Sequence, residues 1–426
     1  MLVDQIRIMK LSLCWFFGTF LATAIAIAQP SIEEGTPAPN QGSVIERLET
    51  VYTLTGDVGI AYHLARVSIG RGDYEAAGKW LTKLADAGWK MGLDPANFSG
   101  DTIPDVLLKQ IADINKTTRQ SLRTSEHALT FDDPLLVPES IAYDAENRTV
   151  YAGSLLVPRL VTTALQGKAS KNIELALPVG VQWGVLYGIK FNADRGDLWL
   201  LNNRTDSEGM HGNLSIINRE SALIKSYRFA DEPAIELNDL CFSKGYVYVT
   251  DSTASRIYRG SLASDSLEVF YQDSDISFPN GIACNDNSTA VYVSDSRGVS
   301  RIDQDGGIDH ERLKVEAGLS LGGIDGMYLW KNHIVGVQNY LGAPKIIMVG
   351  LSNLTIPNAV NFFDVNHPNF RVPTTGFVAG DCLFYIANSS LDALGRDGTL
   401  DPNSPRPNRA NVQALNLQKT GGGCDL

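Results

Sequence analysis

Two hydrophobic periodicities divide the chain. Between about residues 46 and 120, apolar side chains recur three or four positions apart. Ala61, Leu64, Ala65 and Val67 share one face, and Tyr74, Ala77, Trp80, Leu81 and Leu84 share another, with Gly70-Arg71-Gly72-Asp73 between them. This spacing predicts two helices joined by a tight turn, approaching closely at the small residues Ala65 and Ala77. From about residue 126 the period changes to two. Short runs of alternating β-branched and aromatic residues, split by turn formers, predict strands. The first such run is His127-Ala128-Leu129-Thr130-Phe131, and the last is Val412-Gln413-Ala414-Leu415-Asn416-Leu417.

The strand runs repeat. Pro138-Glu139-Ser140-Ile141 is followed by Val150-Tyr151-Ala152-Gly153-Ser154, and Leu237-Asn238-Asp239-Leu240 by Tyr248-Val249-Thr250-Asp251-Ser252. Phe278-Pro279-Asn280-Gly281-Ile282 precedes Tyr292-Val293-Ser294-Asp295-Ser296, and Ile324-Asp325-Gly326-Met327 precedes Ile334-Val335-Gly336-Val337-Gln338. Weaker copies begin at Tyr187-Gly188-Ile189 and Thr375-Gly376-Phe377. Superposed, the copies align Glu139, Tyr187, Asn238, Asn280, Asp325 and Thr375, at separations of 48, 51, 42, 45 and 50 residues. Units of this length cannot bury their own apolar faces and must stack around an axis. The expected fold is all-β, a six-bladed β-propeller, preceded by a small α-helical hairpin domain. A strand from one terminus should complete the sixth blade beside strands from the other, removing free edges.

The rest of the chain adds boundaries. Arg7 and Lys10 precede an apolar run from Leu11 to Ile27, and Ala26-Ile27-Ala28 offers small residues for a cut before Gln29, with Met9 as an alternative start. Residues 1–28 therefore read as a signal peptide, with an uncleaved anchor as the competing reading, and the protein as exported, periplasmic or secreted. The expected order is then a flexible linker over 29–45, the helical region over 46–125, the propeller over 126–418 and a mobile tail over 419–426. A net charge of −12 leaves no basic surplus for nucleic acid or an anionic membrane. Cys241, Cys284, Cys382 and Cys424 follow the leader. Three pairings are open to them, a Cys382–Cys424 staple of the tail among these, and buried free thiols are an alternative.

In a propeller the entrance of each innermost strand faces the central channel. Glu139, Asn238, Asn280 and Asp325 would meet there as an all-oxygen set of two carboxylates and two carboxamides. Such hard donors suit Ca²⁺ first, with Mg²⁺, Mn²⁺ and less readily Zn²⁺ as alternatives. Two buried carboxylates without a cation would instead push a pKa up. Tyr187, at the equivalent position, is expected to line a substrate pocket, with Trp183, Arg159, Arg204 and His211 on nearby loops. The sequence is read as holding no serine-nucleophile elbow of G-x-S-x-G type, no phosphate-binding glycine loop and no H-E-x-x-H motif.

The ordered motifs P-E-x-I, N-D-L, P-N-G-I and I-D-G-M resemble the senescence-marker-protein/gluconolactonase/regucalcin family of six-bladed propeller lactonases. More distantly they resemble paraoxonases and strictosidine-synthase-like proteins. The resemblance spans roughly residues 130–395. It implies Glu139, Asn280 and Asp325 as metal ligands, Asn238 as a substrate contact beside the metal, and Asp325 as general base. Two departures stand out: Glu236 where sugar lactonases usually carry Arg, and Glu139-Ser140 where they favour Glu-Gly, so a sugar-lactone substrate does not follow. The run G-D-Y-E-A-A resembles a tetratricopeptide or Sel1-type hairpin, expected as a structural cap, with a partner-binding groove as the alternative. The resulting expectation is an exported, metal-dependent hydrolase of a lactone or related small-molecule ester. The alternative is a non-catalytic propeller with a structural divalent cation that binds a ligand or protein partner.

Overall fold

The computed structural model describes residues 44–424 apart from 94–102, 118–120, 165–172, 230–233, 274, 306–309, 353–355, 396 and 419–422. The expected leader lies outside the described residues, as does nearly all of the expected linker.

Among the described residues, four helices precede the propeller: α1 (Val44–Thr55), α2 (Val58–Gly70), α3 (Tyr74–Asp86) and α4 (Asp105–Thr117). Each helix of the central pair starts on an aspartate. The Asp57 carboxylate accepts the Gly59 N–H at 2.8 Å, and that of Asp73 accepts the Ala76 N–H at 3.0 Å. Both caps satisfy amides that the first turn leaves unpaired. Ala61, Ala65, Ala77, Leu81 and Leu84 are buried, so the predicted apolar faces do meet. Val67 and Trp80 are only partly buried, and Trp80 packs edge-on against Tyr52 of α1 at 5.1 Å. The two flanking helices supply cover that a lone hairpin lacks.

The helical core is continuous with the propeller. Leu319 and Leu341 belong to the same apolar cluster as Ala61, Leu81 and Trp89. Lys90 N–H donates to the Gly318 carbonyl at 2.8 Å, and Ala343 N–H to the Met91 carbonyl at 3.1 Å. A Cβ on Gly342 would stand 2.6 Å from the Met91 carbonyl oxygen, so this backbone-to-backbone approach requires glycine. Among the described residues, no helix is long and apolar enough to cross a membrane.

Six sheets follow, antiparallel except where Arg228–Phe229 adds a parallel edge to Ser266–Gln272, their innermost strands starting at Ile141, Val185, Leu237, Ile282, Ile324 and Gly376; we call them blades I to VI. In blade VI the innermost strands Gly376–Ala379 and Cys382–Ile386 are followed by Asn411–Asn416 and then by Glu126–Thr130 from the other end of the chain. His127 pairs with Gln413 and Thr130 with Asn411. This closes the ring with one N-terminal strand, as the alternating runs predicted. Disulfides join Cys241 to Cys284, between the innermost strands of blades III and IV, and Cys382 to Cys424. The second bond ties Cys424, in the segment expected to be mobile, to blade VI.

Candidate metal centre at the channel mouth

The innermost strands are not regular where the repeat aligns its polar residues. Pairing slips between Leu186 and Ile189, between Leu237 and Leu240, and between Ile324 and Met327. Tyr187, Asn238 and Asp325 each sit inside such a bulge, a device that re-aims a side chain. The six aligned positions are consecutive neighbours around the ring. Thr375 Oγ1 donates to the Glu139 carbonyl at 3.0 Å, Ser140 Oγ accepts the Ile189 N–H at 3.1 Å, and Thr250 Oγ1 donates to the Asn280 carbonyl at 2.8 Å. A Cβ on Gly188, Gly281 or Gly326 would stand 2.4 Å from Asn238 O, 2.2 Å from Asp325 O or 2.7 Å from Thr375 Cα. The glycine after the aligned residue therefore lets the next blade close in.

The four predicted ligands are arranged as an acceptor-rich cluster. Glu139, Asn238 and Asp325 are 4, 6 and 7 % exposed. Glu139 Oε2, Asn238 Oδ1 and Asn280 Oδ1 are all buried without a hydrogen-bond partner. An orphaned buried acceptor costs on the order of 1–3 kcal/mol. Three of them lie on three blades, at positions equivalent to the buried Asp325. The residues therefore fit a divalent ion bound through oxygen. Among the described residues no three His, Cys, Asp or Glu side chains share a metal-binding point, so the fit depends on the carboxamides.

Electrostatics point the same way. Burial, and then the nearby Asp325 and Asp239, push the Glu139 carboxyl well above its usual range. Burial lifts Asp325 to about 7, against the pull of hydrogen bonds from Asn339 and Asn280. Burial likewise lifts Glu236 to about 7, against hydrogen bonds from the Thr253 and Tyr187 hydroxyls. Below the mouth, Lys190 Nζ lies 3.0 Å from Asp239 and 4.9 Å from the Tyr328 ring centroid. Burial pulls this lysine down, but Asp239 and Tyr328 outweigh it and hold it at about 12. Lys190 thus pairs with Asp239 and only partly offsets Glu139, whose carboxyl stays well above its usual range.

Tyr187 reaches the mouth half-buried, its hydroxyl donating to Glu236. The four loop residues named beside it are engaged locally. Arg159 pairs with Asp133 and Glu174, Arg204 with Asp206, His211 Nε2 lies 3.1 Å from Asp206, and Trp183 Nε1 donates to the Pro178 carbonyl at 2.8 Å. A string with nucleophile-elbow spacing does occur, correcting the expectation that there is none: Gly318-Leu319-Ser320-Leu321-Gly322. It is a loop ahead of blade V rather than a strand–turn–helix. Ser320 is 5 % exposed and its Oγ accepts the Gly322 N–H at 3.1 Å, so it caps its own loop.

Residues absent from the predicted set are Lys190, Asp239, Thr253, Tyr328 and Asn339. Lys190 and Tyr328 each stand three positions after an aligned residue, a regularity the repeat already contained. Asn339 carried no signal: its side chain donates to Asp325 Oδ2 at 2.6 Å, across the first hairpin of blade V, and to the Pro373 carbonyl at 2.7 Å, a contact made only where blade VI meets blade V.

No protein-family profile matches the chain, and no curated protein matches it. Solved structures do. The chain is similar to the major allergen Mala s 1 of Malassezia sympodialis, with a TM-score of 0.50 and 14 % identity over 69 % of this chain and 96 % of that one. It is also similar to a gluconolactonase from Xanthomonas campestris (TM-score 0.46, 13 % identity, 70 % and 95 % covered). A luciferin-regenerating enzyme gives 0.45 at 15 % identity, with 68 % and 93 % covered. At such identities the likeness concerns the fold alone. The tetratricopeptide or Sel1-type resemblance of the hairpin finds no counterpart in these comparisons.

Proposed function

We propose that this protein is an exported, metal-dependent hydrolase of a lactone or related ester, its ion held by Glu139, Asn280 and Asp325 with Asn238 beside it. The observation that carries the reading is the trio of buried, unpartnered oxygens on Glu139, Asn238 and Asn280, at positions equivalent to Asp325. A divalent cation, Ca²⁺ first among the hard ions, supplies Lewis-acid polarisation of an ester carbonyl. The chain's own groups do the rest. Asp325 is fixed through Oδ2 by Asn339 and accepts a proton from the attacking water. The Asn238 carboxamide, aimed by its bulge, orients the acyl group. Tyr187 forms one wall of the mouth, held there by its bond to Glu236.

A lactone panel assayed with and without chelator tests this. Chelator-sensitive turnover is expected, and Asp325→Asn should lower turnover far more than it lowers Ca²⁺ affinity. One observation favours a second reading, a binding propeller with a structural ion: Glu236, buried and fully hydrogen-bonded, occupies the place where sugar lactonases carry Arg. Absence of turnover with a large chelator-induced drop in Tm supports that second reading. Absence of both turnover and a Tm shift overturns the two together.

A further inference from the structure

The loop 339–343 links the helical unit to the candidate site. It leaves the second strand of blade V (His333–Gln338) and is pinned at its base by Gln338, whose amide donates to the Ser320 and Gly322 carbonyls at 3.1 and 2.7 Å. The next residue, Asn339, turns toward the channel and spends its Nδ2 hydrogens on Asp325 Oδ2 and on Pro373 O, in the approach to blade VI. The three residues that touch the helices follow at once. The Tyr340 ring lies 5.3 Å from the His63 ring and 5.7 Å from the Arg66 guanidinium, against the cluster of Leu48, Ile60 and Leu64. Leu341 is fully buried in the helical core, and Ala343 is bonded to Met91.

We propose that the helical unit is a working part of the site: by clamping Tyr340, Leu341 and Ala343 it holds Asn339, which is a positioning residue for Asp325. This inference rests on the metal-site reading above. An asparagine between two acceptors on different blades fixes Asp325 Oδ2 in direction, and so fixes where the other carboxylate oxygen points. Freed of Asn339, the carboxylate keeps only its hydrogen bond from Asn280 and gains freedom to rotate about χ2. Groups that orient a ligand in this way are typically worth about 10–100-fold in metal affinity. The arrangement also gives the hairpin a task that needs no partner protein.

The test is isothermal titration of the full chain with Ca²⁺, alongside Tm in chelator. Asn339→Leu removes both donors at similar volume, Asn339→Ser shortens them, and Tyr340→Ala releases the loop from the helices while Tyr340→Phe keeps the ring. Expected are losses in Ca²⁺ affinity of about 10-fold or more for Asn339→Leu, a smaller loss for Asn339→Ser, and a several-fold loss for Tyr340→Ala that Tyr340→Phe does not share. In chelator, the Tm of Asn339→Ser should fall by only a few degrees, the loss of donors to two acceptors in a large domain. Wild-type affinity in both Asn339 variants overturns the proposal and leaves the metal-site reading standing. A loss in Asn339→Leu with none in Tyr340→Ala overturns the role given to the helices. A wild-type chain that binds no Ca²⁺ overturns the metal-site reading, and this inference with it.

Discussion

Lowering the pH should weaken cation binding by an amount that can be worked from Asp325 alone. In the cation-free fold this carboxyl is lifted to about 7 by burial, and it must lose its proton to serve as a ligand. At pH 7.5 it is mostly ionised, while at pH 5 about one molecule in a hundred is. The ratio of ionised fractions is about 80, so the apparent Kd for Ca²⁺ should rise on the order of 100-fold, roughly 2–3 kcal/mol. Glu139 is displaced in the same direction and adds to the effect. The stability of the cation-free chain follows the opposite course from most paired carboxylates. A raised carboxyl pKa penalises the fold fully above about 7, and the penalty fades as pH falls toward the unfolded value of about 4. His63 complicates any single melting curve. Burial lowers it to about 3, so the fold resists protonation that the unfolded chain accepts below about 6.5, costing about 2 kcal/mol at pH 5. The assay must therefore be the difference between loaded and chelated protein, in which His63 cancels. The Ca²⁺-induced rise in Tm should be large at pH 7.5 and shrink toward zero at pH 5. Titration at pH 6.5 in two buffers of different ionisation enthalpy should show proton release on binding. A Kd that moves less than threefold between pH 7.5 and 5, with no proton release, refutes the reasoning.

Two further outcomes concern stability. Lys345 is 1 % exposed, its Nζ donates to the Leu341 carbonyl at 3.1 Å, and burial lowers it to about 7. Its cost to the fold is absent above about 10.5, grows as pH falls to about 7, and reaches roughly 4 kcal/mol there. Lys345→Met forfeits one hydrogen bond of about 1 kcal/mol, so it should raise stability by about 2–3 kcal/mol at pH 7 and lower it slightly above pH 10.5. Denaturant unfolding at the two pH values checks this. The Cys241–Cys284 bond closes a sequence separation of 43 residues, worth about 4 kcal/mol by chain entropy. The double Cys241→Ser/Cys284→Ser variant should lose about that much. It should also bind Ca²⁺ a few-fold more weakly, because the bond joins the strands that carry Asn238 and Asn280; calorimetry on the oxidised and variant chains compares them.

The propeller was legible because its cause is local and repeated. Alternation of side chains along a strand has a fixed period, and six copies of it at 42–51 residues can bury their apolar faces only by stacking. The same register placed Glu139, Asn238, Asn280 and Asp325 at equivalent positions of their blades, an alignment read from the repeat itself. Gly188, Gly281 and Gly326 belong to this class too, since each follows an aligned residue in the repeat. What the tertiary structure alone decided depends on approach between segments distant in the chain. Tyr187 reaches Glu236, and Asn339 reaches the Pro373 carbonyl, because adjacent blades meet at the axis; neither pair has a spacing to recognise. The disulfide partners follow from which strand ends meet, which composition does not encode. Helical periodicity announced α2 and α3 but not the surface they cover, since an apolar face specifies only that it must be buried. Leu319, Leu341 and Tyr340 became part of that helical core only when the ring closed and set blade V beneath it.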